Sequence, residues 1–254
     1  MRVALIQIRL MPDHYFFDTL NVLYAGDLRK EGHDVKVFEH NTHASPEGSN
    51  ELSALENALK AFGAEVLLFD RIHSAHVVPT LKSEEVVAVG VLQQASGLGM
   101  PGVDFELPHR DRAPVIGALE ALSTDGIPGL AQIPGVRTTE YNNPFPHSPG
   151  IERLFDDFDL AYDLLEATRT SPSKAPLRKH VFGNLGCPYR NAPNRTGFLE
   201  GVALPAELTA RGCTFCDRPD YERIRPPRAL ELLQTQIEQV NTAFPAMDQL
   251  ILVD

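Results

Sequence analysis

Residues 63–70, GAEVLLFD, decide the fold class of this chain. A glycine opens the stretch, and after Ala64 and Glu65 come four consecutive apolar residues, Val66–Phe69. An uninterrupted apolar run of this length is typical of a strand buried on both faces, as in a parallel sheet. The stretch therefore predicts a mixed α/β domain.

Strands and helices alternate on both sides of this stretch. The predicted strands cover residues 3–8, 34–39, 65–69, 86–92 and 103–107, and the predicted helices cover residues 16–30, 50–62 and 113–122. Gly32 and Gly63 follow the first two helices, where a C-terminal glycine is common. The alternation predicts a doubly wound, flavodoxin- or Rossmann-like parallel sheet domain over residues 1–125.

The remainder of the chain divides into a connecting segment, 126–178, and a second domain, 179–254. Within the connecting segment we expect residues 151–167 to be helical and residues 168–176 to form a polar linker.

The second domain has one predicted strand, a long cysteine-containing loop, a helix opened by Pro226 and Pro227, and a final strand over Gln249–Val253. The buried face of that helix is predicted to carry Leu230, Leu233, Ile237, Val240 and Phe244. A single strand–helix–strand unit cannot bury both faces of its sheet, so we expect this domain to be incomplete.

Composition and charge exclude several classes of function. The net charge of −11 argues against a nucleic-acid-binding surface. The apolar run at the start is broken by Gln7 and Arg9, which is unlike a signal peptide, and no stretch approaches the ~20 apolar residues of a membrane span. We therefore expect a cytoplasmic protein with neither nucleic-acid nor membrane partners.

The three cysteines all lie after residue 186, which favours a metal or redox site over a disulfide framework. Cys213 and Cys216 form a C-x-x-C pair, and Cys187 follows the predicted strand of the second domain. Three thiolates leave one coordination position of an iron–sulfur cluster open for a substrate or cofactor.

The sequences around these cysteines, GCPYR at 186–190 and RGCTFCD at 211–217, resemble the cluster motif of radical S-adenosylmethionine enzymes. In that family three cysteines lie on the loop after the first barrel strand, and an aromatic residue precedes the last of them. Phe215 occupies the aromatic position.

The resemblance implies a specific fold and chemistry. The second domain would be the beginning of a radical S-adenosylmethionine (β/α) barrel, and the three cysteines would hold a 4Fe-4S cluster. S-adenosylmethionine would bind at the open iron, with Phe215 near its adenine. An electron from a flavodoxin- or ferredoxin-type donor would cleave it to methionine and a 5′-deoxyadenosyl radical, for methylation, cyclisation or rearrangement of an unknown substrate.

The chain departs from the family pattern in two respects. The family usually places three residues between its first two cysteines, whereas residues 188–212 lie between Cys187 and Cys213. Closing so long a loop costs roughly a few kcal/mol, because the cost grows only logarithmically with length. Most of the barrel is also missing, so we expect the isolated chain to bind a cluster poorly and to turn over slowly or not at all.

The upstream part is similar to the subset of this family that has an N-terminal cobalamin-binding domain. The similarity lies in the α/β alternation, in IPGLAQIPG at 127–135 and in the acidic stretch FDDFDLAYDLLE at 155–166. It implies cobalamin as a further cofactor.

Two loops supply candidate cobalamin-binding residues. His14 follows the first strand. It directly follows Asp13, whereas the Asp-x-His-x-x-Gly motif that supplies a histidine ligand to cobalt in many cobalamin-binding domains has one residue between the two. Ser96, Gly97 and Gly99 follow the fourth strand, where small residues would let the backbone approach a nucleotide tail, but a mobile turn explains them equally well.

A different class of function stays open. The same three cysteines with a histidine, such as His180, would suit a structural zinc site. The chain would then be a non-catalytic fragment, a corrinoid- or nucleotide-binding domain with a metal knot.

Overall fold

Strand β1 (Arg2–Arg9) lies inside a six-stranded parallel sheet in the computed structural model of the chain. The structure describes residues 1–9, 18–41, 52–72, 74–92, 97–107, 112–143, 158–168, 178–182 and 228–253. The other strands of this sheet are β2 (Asp34–Asn41), β3 (Val66–Phe69), β4 (Ala88–Leu92), β5 (Phe105–Leu107) and β6 (Leu165–Thr168). The helices connecting them are α1 (Asp18–Lys30), α2 (Ser53–Phe62), α3 (Val77–Leu81) and α4 (Arg112–Thr124).

The strand order is β5-β4-β3-β1-β2-β6, and each neighbouring pair is parallel. The chain runs outward from β1 to β2, and then returns past β1 to add β3, β4 and β5 on the other side. The carboxyl ends of β1 and β3 are therefore the place where the direction of winding reverses. The mixed α/β class and the parallel sheet predicted from residues 63–70 are both confirmed.

Alternating residues of β1 divide between two cores, one on each face of the sheet. Val3 and Leu5 pack in the core that contains apolar residues of α1 and α4. Ala4 and Ile6 pack in the other, with apolar residues of α2 and α3. Because the side chains of a strand point alternately to opposite faces, a strand with helices on both faces needs the apolar run that the sequence shows.

Both predicted helix-ending glycines have left-handed backbone. Gly32 has φ 84° after α1, and Gly63 has φ 65° after α2. The N–H of Gly63 donates to the carbonyl of Lys60, and that of Ala64 to the carbonyl of Leu59, which satisfies the last carbonyls of α2.

The described part of the predicted helix over residues 151–167 is not an α-helix. A 3₁₀ turn occupies Tyr162–Leu164, and β6 follows it and pairs with β2 from Val37 to His40. An unpaired sheet edge offers backbone partners that outweigh local helix preference. The predicted linker over residues 168–176 lies outside the described residues apart from Thr168, which ends β6.

A second sheet follows, with two parallel strands, β7 (Arg178–Phe182) and β8 (Gln249–Val253). Helix α5 (Arg228–Ala243) lies between these strands in the sequence. The predicted buried face of α5 is wrong at Leu230, which is 64% exposed. The face that packs instead contains Leu232, Leu233, Gln236, Ile237, Val240 and, just beyond the helix, Phe244. Leu230 lies in the first turn of α5, before the helix reaches the core.

The two sheets pack together in the region that the structure describes. Val181, Leu232 and Val240 belong to the same apolar core as Val3 and Leu5 of β1. The division of the chain at residues 125 and 178 stays a prediction. In the described part of the chain, no helix has the length and apolar character required to cross a membrane.

Candidate functional site

Most of the residues predicted to bind cofactors lie outside the described residues. These are the predicted metal ligands Cys187, Cys213 and Cys216, together with Phe215, Ser96 and His14. Gly97, Gly99 and His180 are described. No group of three or more His, Cys, Asp and Glu side chains within the described ranges is arranged to hold a metal ion. The predictions about the cluster and the zinc site therefore stay predictions.

Strand β7 is the described element closest in sequence to the first cysteine, since it ends at Phe182. Within β7, Lys179 is 1% exposed and His180 is 3% exposed. Lysine is rarely so buried without a charged partner, which indicates a polar environment around this strand.

Lys179 reaches the carboxyl end of β2. Its Nζ lies 3.7 Å from Oε2 of Glu39, which is itself buried, and 4.4 Å from the centre of the Phe244 ring. The ring of Tyr162 lies 5.8 Å away and packs edge-on against Phe244. An ion pair and two aromatic faces together stabilise the buried ammonium group.

Glu39 has a second polar neighbour on β1. The register of the sheet pairs it with Gln7, which is fully buried. In both strands the preceding residues of the same parity, Leu5 and Val37, pack in the core beneath α1, so both side chains belong to that face. A polar row thus replaces the apolar core at the carboxyl edge of the sheet.

Helix α1 contributes Asn21 to this row. Asn21 is 1% exposed, and its Nδ2 donates a hydrogen bond of 3.3 Å to Oε1 of Gln7. Next to them, the backbone N–H of Asp70 donates to the carbonyl of Ile6, where β3 gives way to the loop that follows. Gln7 and Asn21 therefore lie at the carboxyl end of β1, beside that of β3, and Glu39 lies at the same edge of the sheet on β2.

The predicted glycine loop lies after β4 at the same edge of the sheet. Gly97–Gly99 forms a short 3₁₀ turn, and a Cβ atom placed on Gly99 would meet no atom of the described residues within 4 Å. The cofactor-binding role of Gly97 and Gly99 stays a prediction.

Glu106 of β5 holds this turn in place. Its Oε2 accepts a hydrogen bond of 3.4 Å from the backbone N–H of Leu98, and its Oε1 lies 3.4 Å from Nη1 of Arg137. Backbone hydrogen bonds also join Glu106 and Arg137 in both directions. The buried carboxylate of Glu106 thus positions the glycine turn, and the positive charge of Arg137 offsets its negative charge.

Two shifted pKa values occur away from this edge. Burial, and next the N-terminal amino group, lower the pKa of His33. The hydrogen bond to Asp159, assisted by Asp163, raises the pKa of Arg29 still further above its high ordinary value. Neither group contributes to the polar row.

Reasoning from the sequence missed the polar row and Glu106. Gln7 did carry a signal, since it interrupts an otherwise apolar strand. Asn21, Glu39 and Lys179 carried none, because their proximity depends on strand register and on the packing of β7, which short-range patterns do not reveal.

Comparison of the chain with protein-family models, with curated proteins and with solved structures found no match.

Proposed function

We propose that this chain is a radical S-adenosylmethionine enzyme whose 4Fe-4S cluster is held by Cys187, Cys213 and Cys216. The observation that carries the proposal is the C-x-x-C pair of residues 213–216 together with a third cysteine that follows a strand. Three thiolates suit an iron–sulfur cluster with one open iron, whereas structural zinc commonly takes four protein ligands in two close pairs.

The described part of the second domain supports this assignment. β7, α5 and β8 form a parallel strand–helix–strand unit, which is the repeating unit of a (β/α) barrel. Cys187 follows the first strand of that unit in sequence, as the first cluster cysteine does in the family. Leu250 and Leu252 of β8 are exposed and leave apolar surface on which a further barrel element would pack.

The chain's own residues would have distinct roles. The three cysteines would ligate the cluster, and Phe215 would contact the adenine of S-adenosylmethionine. The cluster, when bound, supplies the electron that cleaves this cofactor. Lys179 and Glu39 would fix β7, and with it the start of the cysteine loop, against the carboxyl end of β2.

The N-terminal sheet is proposed to be a doubly wound domain that binds cobalamin at its carboxyl edge. Its order β2-β1-β3-β4-β5 is that of flavodoxin-like sheets, with β6 added beside β2. The open space beside Gly99 and the buried polar groups at Gln7 support a ligand at this edge. A cytoplasmic location and a flavodoxin- or ferredoxin-type electron donor complete the proposal, since the cluster requires a reducing compartment.

Anaerobic reconstitution with iron and sulfide tests the cluster. We expect a brown protein with about four irons per reconstituted site, and loss of that colour in each of Cys187→Ser, Cys213→Ser and Cys216→Ser. Addition of S-adenosylmethionine should change the electron paramagnetic resonance spectrum of the reduced cluster, and dithionite should then yield 5′-deoxyadenosine.

Structural zinc on the same cysteines and His180 is the rival assignment, and the burial of His180 in β7 is the observation that favours it. In that case one zinc ion per chain would co-purify, His180→Gln would release it, and no cluster would assemble. That result would overturn the enzymatic proposal. A cluster that survives His180→Gln would exclude the rival.

A further inference from the structure

The buried amides of Gln7 and Asn21 make only part of the hydrogen bonds available to them. One bond joins them, from Nδ2 of Asn21 to Oε1 of Gln7. Nε2 of Gln7 and Oδ1 of Asn21 are both shielded from solvent and have no hydrogen-bond partner in the part of the chain that the structure describes. The pair thus retains one unused donor and one unused acceptor.

This conclusion does not depend on which way round the two amides are placed. If both amides are turned, Gln7 donates the bond to Asn21 instead, and Gln7 then keeps an unused acceptor while Asn21 keeps an unused donor. Either arrangement presents one donor and one acceptor.

Leaving two buried polar groups unsatisfied is costly, at about 1–3 kcal/mol for each group. Such groups in a folded protein call for a function or a bound partner. The ordinary residues at these positions would be apolar, because Val3 and Leu5 of β1 and Val22 of α1 all pack in the adjoining core. Two leucine-like residues here would avoid the cost entirely.

The position of the pair indicates what could satisfy it. Gln7 lies beyond the last residue pair of β1 and β3, Ile6 with Phe69, at the carboxyl edge where the winding reverses. Asn21 lies near the start of α1, directly above it. Both atoms are covered by the protein, so a ligand at this edge reaches them only when the covering atoms move aside, and it then gains hydrogen bonds to groups that have already lost their water.

We propose that Gln7 and Asn21 together bind an edge of a ligand that carries a hydrogen-bond acceptor beside a donor. A primary carboxamide has this edge, and a corrinoid ring is surrounded by carboxamides. The amidine edge of adenine has it too. The inference deepens the proposed function, on which it rests for the presence of a ligand at this edge, and it names the residues that recognise that ligand.

The test separates binding from stability. Gln7→Met and Asn21→Leu, combined, replace both amides with apolar groups of similar size. Because both unsatisfied groups disappear, the melting temperature should stay the same or rise, whereas ligand affinity should fall by about tenfold or more. If the two amides had a purely structural role, their replacement would not lower ligand affinity while leaving the melting temperature unchanged or higher.

A matched control exists in α5. Gln236 is also a fully buried glutamine, and its Nε2 donates to the carbonyl of Leu232 in its own helix. Gln236→Met should leave ligand affinity unchanged. If the double variant fails to fold, the single change Gln7→Met removes one of the two unsatisfied groups without adding a charge and should also lower ligand affinity.

The probes are hydroxocobalamin and adenosine monophosphate, each measured by equilibrium dialysis against the full chain. A tenfold loss of cobalamin affinity in the double variant, with the Gln236 control unaffected, supports a corrinoid carboxamide. The same loss for the nucleotide supports a nucleobase edge, and if cobalamin does not bind, the corrinoid part of the proposed function fails.

Two outcomes overturn the inference. If the wild-type chain binds a probe and the double variant binds it equally well, the amides serve no ligand, although the proposed function stands. If the wild-type chain binds neither probe, the inference falls together with the cobalamin proposal, while the cluster experiments remain decisive for the cysteines.

Discussion

Nζ of Lys179 lies 3.7 Å from Oε2 of Glu39, and the two side chains are only 2% and 9% exposed. Lys179 belongs to β7 and Glu39 to β2, so the pair connects the two sheets of the molecule. An exposed ion pair would contribute little to stability, but a pair this deeply buried makes each charge dependent on the other. The strand that precedes Cys187 is thereby tied to the carboxyl edge of the N-terminal sheet.

Removal of one charge of this pair should be more damaging than removal of both. Lys179→Met leaves the carboxylate of Glu39 buried without the cation that faces it, and should lower the free energy of unfolding by about 3–5 kcal/mol. Lys179→Met combined with Glu39→Leu should recover most of that loss. Urea denaturation of both variants measures the difference, and equal stability of the single and double variants would refute the coupling.

Gly90 should not tolerate a side chain. In the register of β4 and β5 it pairs with Phe105, and a Cβ atom at Gly90 would collide with the Phe105 ring, which is fully buried. Gly90→Ala should cost about 1–3 kcal/mol of stability through overpacking. Gly99→Ala is the matched control, since the space beside it is open, and should change stability by less than about 0.5 kcal/mol.

The collision at Gly90 can be tested by a compensating change. Phe105→Leu in the Gly90→Ala background removes the ring, so the double variant should lose less stability than the sum of the two single changes. Simple additivity in thermal or urea unfolding would show that the cost of Gly90→Ala has another origin.

Gly26 in α1 permits close approach of the segment that leads into β6. A Cβ atom there would collide with the backbone carbonyl of Asp159, and the N–H of Ala161 donates a hydrogen bond of 3.3 Å to the carbonyl of Val22. Helix propensity alone would make Ala more stable than Gly by roughly 1 kcal/mol. We expect the opposite for Gly26→Ala, which should destabilise the protein and accelerate hydrogen exchange at the Ala161 amide.

Gly117 in α4 provides the control for Gly26. A Cβ atom at Gly117 would lie 3.3 Å from its nearest neighbour, a side-chain methyl group of Ile133, and a side chain can yield where a backbone carbonyl cannot. Gly117→Ala should therefore be neutral or slightly stabilising. A stabilising effect of Gly26→Ala would contradict the packing of this segment on α1.

Local patterns predicted much of the fold because its elements satisfy local rules. The apolar run of β3 and the glycines after α1 and α2 were sufficient to place those elements, and β8 lies where its sequence indicates. β6 was missed because its conformation comes from the free edge of β2. The packing of α5 was misjudged at Leu230 because the point where a helix first meets a core depends on tertiary structure.

The candidate site was less predictable than the fold. The cysteine pattern is a local signal, and it identifies candidate ligands from the sequence alone. The buried polar row is assembled from residues far apart in sequence, such as Gln7 and Glu39, which are adjacent only through the register of two strands. If β2 were shifted by one residue, Glu39 would lie on the opposite face of the sheet from Gln7.

His33 gives a prediction for the dependence of stability on pH. Burial and the N-terminal amino group lower its pKa in the folded protein, against the opposite effect of Glu31 and Glu120. The unfolded chain, with a histidine pKa of about 6.5, therefore binds more protons over the interval below that value. The contribution of His33 is fully present above about pH 6.5 and is lost as the pH falls from there through the lower folded pKa.

Urea midpoints of the wild type and of His33→Gln, compared from about pH 8 to about pH 5, measure this contribution. The wild type should lose more stability than the variant on acidification, because the effects of the carboxylates are common to both proteins. A difference in stability that does not depend on pH, or one that changes in favour of the wild type as the pH falls, would show that His33 is not held in its neutral form by the fold.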